Sequence, residues 1–333
     1  GGLQQQVAIA AATAHRPRLL VLDEPSSNLS ADAVRRLGAA LAGLRGAGLT
    51  IVVAEHRLGY LRELVDRVVV VRDGRIGAEW TGEQFRAIAE AELERLGLRG
   101  QVRPAQLPAV AASGASVAPP VAPAQVPPGP ALELEGIGCQ LGGRLVLGID
   151  QARFALGEVT AVRGPNGAGK STLARVVAGL VRSAGQVRLE GRALSRRARQ
   201  RLSAIVMQDV QRQLFSDTVQ GEIELAAERA PGGPGAASVL AQLDLADLAQ
   251  RHPLSLSGGQ QQRLVVAAAR LAGRRIVVFD EPSSGVDRRH LVSIATQIRQ
   301  AAAIAGGAAV LLISHDEDLL ALAADRQLAL APV

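Results

Sequence analysis

Among 333 residues there is a single cysteine, Cys139, and a single lysine, Lys170. One cysteine excludes an internal disulfide and any zinc site built from several thiolates, and it suits a reducing compartment. Aromatic residues make up 2% of the chain, which disfavours base stacking as a binding mode. The longest near-apolar run, Ala301 to Ile313, falls short of the roughly 18 residues that suggest a membrane span. Lysine is almost absent, yet the net charge is +6, so arginine carries it. The densest run, "RRARQR" at Arg196–Arg201, has helical polarity and no aromatic neighbours. It reads as a solvated helix face, and no nucleic-acid partner is expected.

What the chain does contain is a repeat of itself. "GGQQQRLVVAAARLAGRRIVVFDEPSSGVD" begins at Gly258, and "GGLQQQVAIAAATAHRPRLLVLDEPSSNLS" begins at Gly1. The two align without a gap, so that Asp23 falls on Asp280 and Glu24 on Glu281. Self-similarity at a long period signals duplicated structural units. About 125 residues of the second copy precede its glycine pair, and none precede the first. The first copy, residues 1–103, is therefore expected to be the C-terminal part of a unit that has lost its N-terminal part. Residues 104–131 are rich in Pro, Ala and Gly and carry no charge, the composition of a semi-extended spacer without a core of its own. Residues 132–333 form the nearly complete second copy.

Both copies alternate short β-branched runs with helical patterns. In the second, "EVTAVRG", "RLSAIVMQ", "RRIVVFDEP" and "AAVLLISHD" have the length and continuous apolar character of strands buried on both faces of a mainly parallel sheet. The expected class is α/β.

"GPNGAGKST" comprises Gly164, Pro165, Asn166, Gly167, Ala168, Gly169, Lys170, Ser171 and Thr172, and it fits G-x-x-x-x-G-K-[ST] at every fixed position. It lies between a predicted strand and a predicted helix, the context a phosphate-binding loop requires. Glycines allow the backbone to curl so that successive N–H groups face phosphate oxygens, and the helix N-terminus adds positive potential. Lys170 is expected to reach the outer phosphates, and Ser171 to offer its hydroxyl to Mg²⁺. Asp280 and Glu281 follow a buried strand, where adjacent carboxylates are costly unless they meet a metal or a proton. Asp280 suits Mg²⁺, and Glu281 suits polarising an attacking water. His315 ends another apolar strand and is repeated as His56, which places both histidines beside their carboxylate pairs.

The second copy resembles the nucleotide-binding domain of an ABC ATPase across nearly all of residues 132–333. The phosphate loop is common to many NTPases, but "LSGGQ" at Leu256–Gln260 is specific to ABC proteins. The resemblance implies a P-loop NTPase fold with a mainly parallel sheet, an antiparallel β subdomain and a helical signature subdomain. It implies ATP and Mg²⁺ as ligands, and Gln208 as a metal-contacting and catalytic glutamine that couples the site to a partner. It also implies His315 as the switch histidine and "SSGVD" at Ser283–Asp287 as the D-loop. Two cassettes of this family pack head to tail, so that signature residues such as Ser257, Gly258, Gly259 and Gln260 cap ATP held by the opposite phosphate loop. By the same likeness Gly1 and Gly2 are the remnant of a signature that caps ATP at Lys170. Asp23, as a metal contact, and Glu24 and His56, as catalytic groups, belong to a second composite site whose phosphate loop lies upstream.

Three positions depart from the pattern. Leu3 stands where the second copy has Gln260, Ser30 where it has Asp287, and Leu141 where relatives place an aromatic ring against adenine. "QDVQRQLFSDTVQGEI" at Gln208–Ile223 and "AEHRLGYLRELVDRVVVVRDGRI" at Ala54–Ile76 resemble ATPases of energy-coupling factor transporters, particularly fused double-cassette forms. The likeness implies an ATPase at the cytoplasmic face of the cell membrane. Its partners would be a membrane scaffold and a substrate-binding subunit that take up a vitamin, a vitamin precursor or a metal ion. Leu214 and Phe215 are expected to dock a short scaffold helix. The alternative is a soluble tandem cassette acting on ribosomes or nucleic acid. An uncharged linker and a single cysteine argue against it, since such proteins use charged helical linkers or zinc-binding cysteines.

Overall fold

A computed structural model describes every residue except 1, 27–28, 30, 73, 101–103, 120–128, 229–234 and 284–285, and the side chains of residues 2–6, 31 and 72. Gly1 and Ser30, both singled out from the sequence, lie outside the described residues. The chain divides into two units, residues 1–103 with 285–289, and residues 104–284 with 290–333.

In the first unit, helix α1 (Gly2–Thr13) leads to β1 (Leu19–Asp23), α2 (Ala31–Gly46) and β2 (Thr50–Ala54). Strands β1 and β2 pair in parallel. Leu20 and Leu22 on one face of β1 are buried in a cluster with Leu37 and Leu41 of α2. On the other face Leu19, Val21 and Val52 are exposed, Val21 by 65%. A hairpin of β3 (Arg67–Arg72) and β4 (Arg75–Thr81) follows, then α3 (Gly82–Ala87) and α4 (Glu90–Arg95). Thr81 and Gln84 cap α3 reciprocally, which satisfies two backbone N–H groups that the first turn leaves unpaired. Leu58, Phe85 and Leu93 close this end of the unit.

The second unit begins with the segment expected to be a spacer, and here the structure differs. Residues 104–119 lie along the unit: β5 (Ala112–Ser113) pairs with a neighbouring strand, and Val110 and Ser116 are buried. Composition concealed this because a strap without charge can bury its small apolar side chains and lend its backbone N–H and C=O groups to open strand edges. Strands β6 (Ala131–Leu141), β7 (Arg144–Ala155), β9 (Ala184–Leu189) and β10 (Arg192–Ala193) complete an antiparallel sheet of order β10-β9-β6-β7-β5.

The four predicted buried strands are β8 (Val159–Arg163), β11 (Ser203–Val206), β12 (Ile276–Asp280) and β13 (Ala309–Ile313). With β14 (Arg326–Ala329) they form a parallel sheet of order β11-β12-β13-β8-β14. Helix α5 (Lys170–Val177) covers one face: Leu173, Val176 and Val177 cluster with Ile276, Val278 and Leu311. Between the sheets' strands come α6 (Arg196–Leu202), α7 (Val219–Ala227), α8 (Ala236–Gln242), α9 (Gly258–Leu271) and α10 (Arg288–Ala302), and α11 (Glu317–Ala323) precedes β14. Helices α7, α8 and α9 share a separate apolar cluster that includes Ile223, Leu240 and Leu264. This is the P-loop α/β fold with an antiparallel subdomain and a helical subdomain. The arginine run of α6 is only partly solvated, because Arg199 is buried and donates to Val176 O.

Candidate nucleotide-binding site

Strand β8 ends at Arg163, the chain curls through residues 164–169, and α5 starts at Lys170. Gly164, Gly167 and Gly169 have φ of 146°, 87° and 89°, in the region that favours glycine. A Cβ on Gly164 would lie 2.4 Å from Leu330 O, and one on Gly169 would lie 2.8 Å from Val146 O. At these two positions the loop packs against neighbouring backbone too closely for a side chain. Lys170 Nζ donates to Gly164 O at 2.7 Å and to Pro165 O at 3.1 Å. Burial lowers its pKa, while the charges of Glu281 and Asp280 oppose that shift.

Ser171 Oγ donates to Asp280 Oδ2 at 3.0 Å. Burial raises the Asp280 carboxyl above its ordinary range, and this hydrogen bond and the Lys170 charge pull it back. Glu281 has a φ of 53°, a conformation uncommon outside glycine and concentrated at functional sites. Its N–H donates to Ile313 O at 2.8 Å, which carries the residue across to the end of β13. There its Oε2 accepts from Ser314 Oγ and from His315 N–H, both at 3.3 Å. His315 Nε2 is 3.9 Å from Glu281 Oε1.

The first unit repeats this strand-end geometry. Glu24 has a φ of 43° and its N–H donates to Ala54 O at 2.8 Å. Asp23 ends β1, and His56 Nε2 approaches Glu24 Oε1 at 3.4 Å. That hydrogen bond holds the Glu24 carboxyl below its ordinary value and the His56 imidazole above its own, against burial in each case.

Helix α9 opens on Gly258 and Gly259 behind Ser257. The Ser257 hydroxyl accepts from Gln260 N–H at 3.4 Å, and Gln260 Oε1 accepts from Ser257 N–H at 2.9 Å. Gly2 opens α1. Gln208 lies exposed just past β11, Asp287 is half-buried, and Leu141 ends β6 exposed. The structure thus gathers Lys170, Ser171, Asp280, Glu281 and His315 at one edge of the parallel sheet. Of the apolar pair beyond Gln208, Phe215 is 77% exposed, whereas Leu214 packs against the helical cluster. Leu214 is half-buried there, and Phe215 stands open beside it.

Two residues that hold this loop were not singled out from the sequence. Gln213 accepts from Met207 N–H at 2.8 Å and donates to Ile205 O at 2.6 Å. Buried Glu222 accepts from the N–H groups of Phe215 and Ser216. The one available signal was a carboxylate in the first turn of a helix, which favours N–H partners.

The residues present fit a nucleotide and its cation. The curl of residues 164–169 leads into the N-terminus of α5, where anions are favoured, and a hydroxyl with one carboxylate, Ser171 with Asp280, is what Mg²⁺ takes when phosphates and waters supply its other ligands. Among the described residues no cluster of three or more His, Cys, Asp or Glu could hold a metal alone.

Comparison with known proteins places these features in context. The family model described as ABC transporter matches residues 150–284. A protein of Treponema denticola named as an ABC transporter ATP-binding protein is 37% identical over 332 residues, covering 99% of this chain and 66% of its own length. The Bacillus subtilis protein YkoD, named for HMP/thiamine import ATP binding, is 30% identical over 349 residues, covering 99% of this chain and 63% of its own. The chain thus spans no more than about two thirds of these relatives. A solved structure titled RNase-L Inhibitor superposes with a TM-score of 0.66 at 21% identity, covering 98% of this chain and 61% of that one.

Proposed function

We propose, for a chain that belongs to the ABC family of ATP-binding cassette proteins, the binding and hydrolysis of ATP to drive an importer of the energy-coupling factor type. The observation that carries the ATPase reading is the convergence of the phosphate loop, Asp280, Glu281 and His315 on one sheet edge. In this reading the N–H groups of residues 164–172 cradle the phosphates and Lys170 exchanges its carbonyl partners for phosphate oxygens. Ser171 and Asp280 hold Mg²⁺, which when bound supplies charge neutralisation at the phosphates. Glu281 polarises the attacking water, and His315 senses the terminal phosphate and steadies the charge that develops on it. Gln208, on its exposed loop, reports the state of the site to a partner.

Head-to-tail pairing of cassettes assigns the signature residues Ser257–Gln260, and Gly1 and Gly2, to the opposite ATP. Asp23, Glu24 and His56 then serve a second site of the same kind, with a phosphate loop other than residues 164–172. The exposed face of β1 and β2 supports that assignment. The matching face of β12 and β13 is covered by α5 in the second unit, while Leu19, Val21 and Val52 stand open.

Uptake of a vitamin or vitamin precursor is favoured by the HMP/thiamine import named for the Bacillus subtilis relative. No described helix is long and apolar enough to cross a membrane. By the likeness to an import ATP-binding protein, the proposed place is the cytoplasmic face, against a membrane scaffold and a substrate-binding subunit. The likeness to the RNase-L Inhibitor structure, at 21% identity, is one of fold and gives the ribosomal alternative little weight. The test is Phe215→Ala in the full-length protein, expressed with the membrane proteins that co-purify with the wild type. Basal ATP hydrolysis and melting temperature should be unchanged, while co-purification of the scaffold and ATP-driven uptake should be lost. Unimpaired uptake would overturn the docking role, and the absence of any membrane partner would overturn the importer.

A further inference from the structure

The two switch segments are not built alike. Backbone pairing of Glu24 N–H with Ala54 O, and of Glu281 N–H with Ile313 O, fixes the equivalence of Glu55, His56 and Arg57 with Ser314, His315 and Asp316. In the second unit the Ser314 hydroxyl and His315 N–H are both given to Glu281. Asp316 Oδ2 accepts the buried Ser283 hydroxyl at 2.7 Å, tying the switch to the start of the D-loop.

In the first unit the carboxylate has moved from just after the histidine to just before it. Glu55 Oε1 accepts from His56 N–H at 2.8 Å and from Arg57 N–H at 3.1 Å. Its Oε2 accepts from Ser26 N–H at 3.2 Å and from the Tyr60 hydroxyl at 3.0 Å. The histidine N–H that the second unit donates to its glutamate is here donated to Glu55. The tie to the D-loop now runs to the Ser26 backbone. The Ser26 hydroxyl, counterpart of the one Asp316 holds, is buried without a partner among the described residues.

We propose that Glu55 is the positioning residue of the first unit's switch, fixing His56 and the Ser26 end of the D-loop in place of Asp316. The inference rests on reading His56 as a switch histidine. A half-buried carboxylate that gathers four donors is well satisfied, and each such charge-assisted bond is stronger than a neutral one. The two switches are therefore built on different chemistry. In one, the switch backbone is fastened to the glutamate beside the histidine. In the other, it is fastened to Glu55, and the imidazole itself closes on Glu24 at 3.4 Å rather than 3.9 Å.

The test is amide hydrogen exchange on the 333-residue chain without nucleotide, followed in peptides covering residues 24–27 and 55–61. Glu55→Ser should speed exchange at Ser26, His56 and Arg57 by about tenfold or more, with β1 and β2 still protected. Glu55→Ser combined with Arg57→Asp writes the second unit's pattern into the first and gives the Ser26 hydroxyl a carboxylate. It should restore slow exchange at His56 and at position 57, whose counterparts donate to Glu281 and to the Ser314 hydroxyl. Unchanged exchange in the single variant, or no recovery in the double, overturns the proposal, as does loss of protection throughout β1 and β2 in both. If Glu55→Ser alone unfolds the unit, Glu55→Gln replaces it. With one acceptor oxygen left it should release one pair of donors, and retention of every one of them overturns the proposal. Because no nucleotide is present, failure here leaves the ATPase reading standing, and failure of ATP binding leaves this result intact.

Discussion

The Ser171 hydroxyl donates to Asp280 at 3.0 Å across 109 residues of sequence, joining the helix after the phosphate loop to the strand that ends in the carboxylate pair. The contact predicts a cation-dependent phenotype. Ser171→Ala should leave ATP binding in EDTA unchanged and weaken it in Mg²⁺ by roughly tenfold or more, the scale of one hydrogen bond to a charged group. Equal affinity with and without Mg²⁺ in the wild-type chain would remove Ser171 and Asp280 from the cation site.

Glu281→Gln in the full-length protein should preserve ATP binding and lower hydrolysis by ~10²–10³-fold, the usual effect of losing one group aimed at the transition state. The amide keeps the side chain's size and its place beside Ser314 and His315, but it polarises water poorly. Single-turnover rates measured with saturating nucleotide separate this outcome from weakened binding.

The Glu24–His56 pair predicts a stability window. His56 is raised above its ordinary 6.5 chiefly by its hydrogen bond to Glu24, and Glu24 is lowered below its ordinary 4.5 chiefly by the same bond. The His56 contribution is fully present below pH 6.5 and is lost as pH rises through its raised value. The Glu24 contribution is present above pH 4.5 and is lost as pH falls through its lowered value. Both are fully present between pH 4.5 and pH 6.5. Partial exposure of both side chains keeps the effect small. NMR titration should give His56 a midpoint above 6.5 that falls in Glu24→Gln.

Much of this site could be read from the sequence because its parts are contiguous. The phosphate loop needs its glycines, lysine and hydroxyl within nine residues, and each carboxylate pair follows directly on an apolar strand. The parallel sheet was legible for the same reason: strands buried on both faces are continuously apolar. The missed groups act across distance. Gln213 and Glu222 bind backbone N–H and C=O groups that no side-chain pattern reveals, and Glu55 reads as an ordinary polar residue until Ser26 is seen beside it. The strap of residues 104–119 was misread because an uncharged Pro/Ala stretch is equally suited to a free spacer and to an edge of backbone donors. Ser116 shows which occurred, with its hydroxyl accepting from Gly148 N–H at 2.9 Å.

The sequence carries one phosphate-loop motif, at residues 164–172, and the ATPase proposal gives this chain one nucleotide cradle, at Lys170. Isothermal titration calorimetry with ATP and Mg²⁺ on the 333-residue chain tests it most directly, with Lys170→Ala as the comparison. We predict about one ATP bound per chain and loss of most affinity in Lys170→Ala. Two sites of equal affinity, or full binding retained by Lys170→Ala, would contradict it.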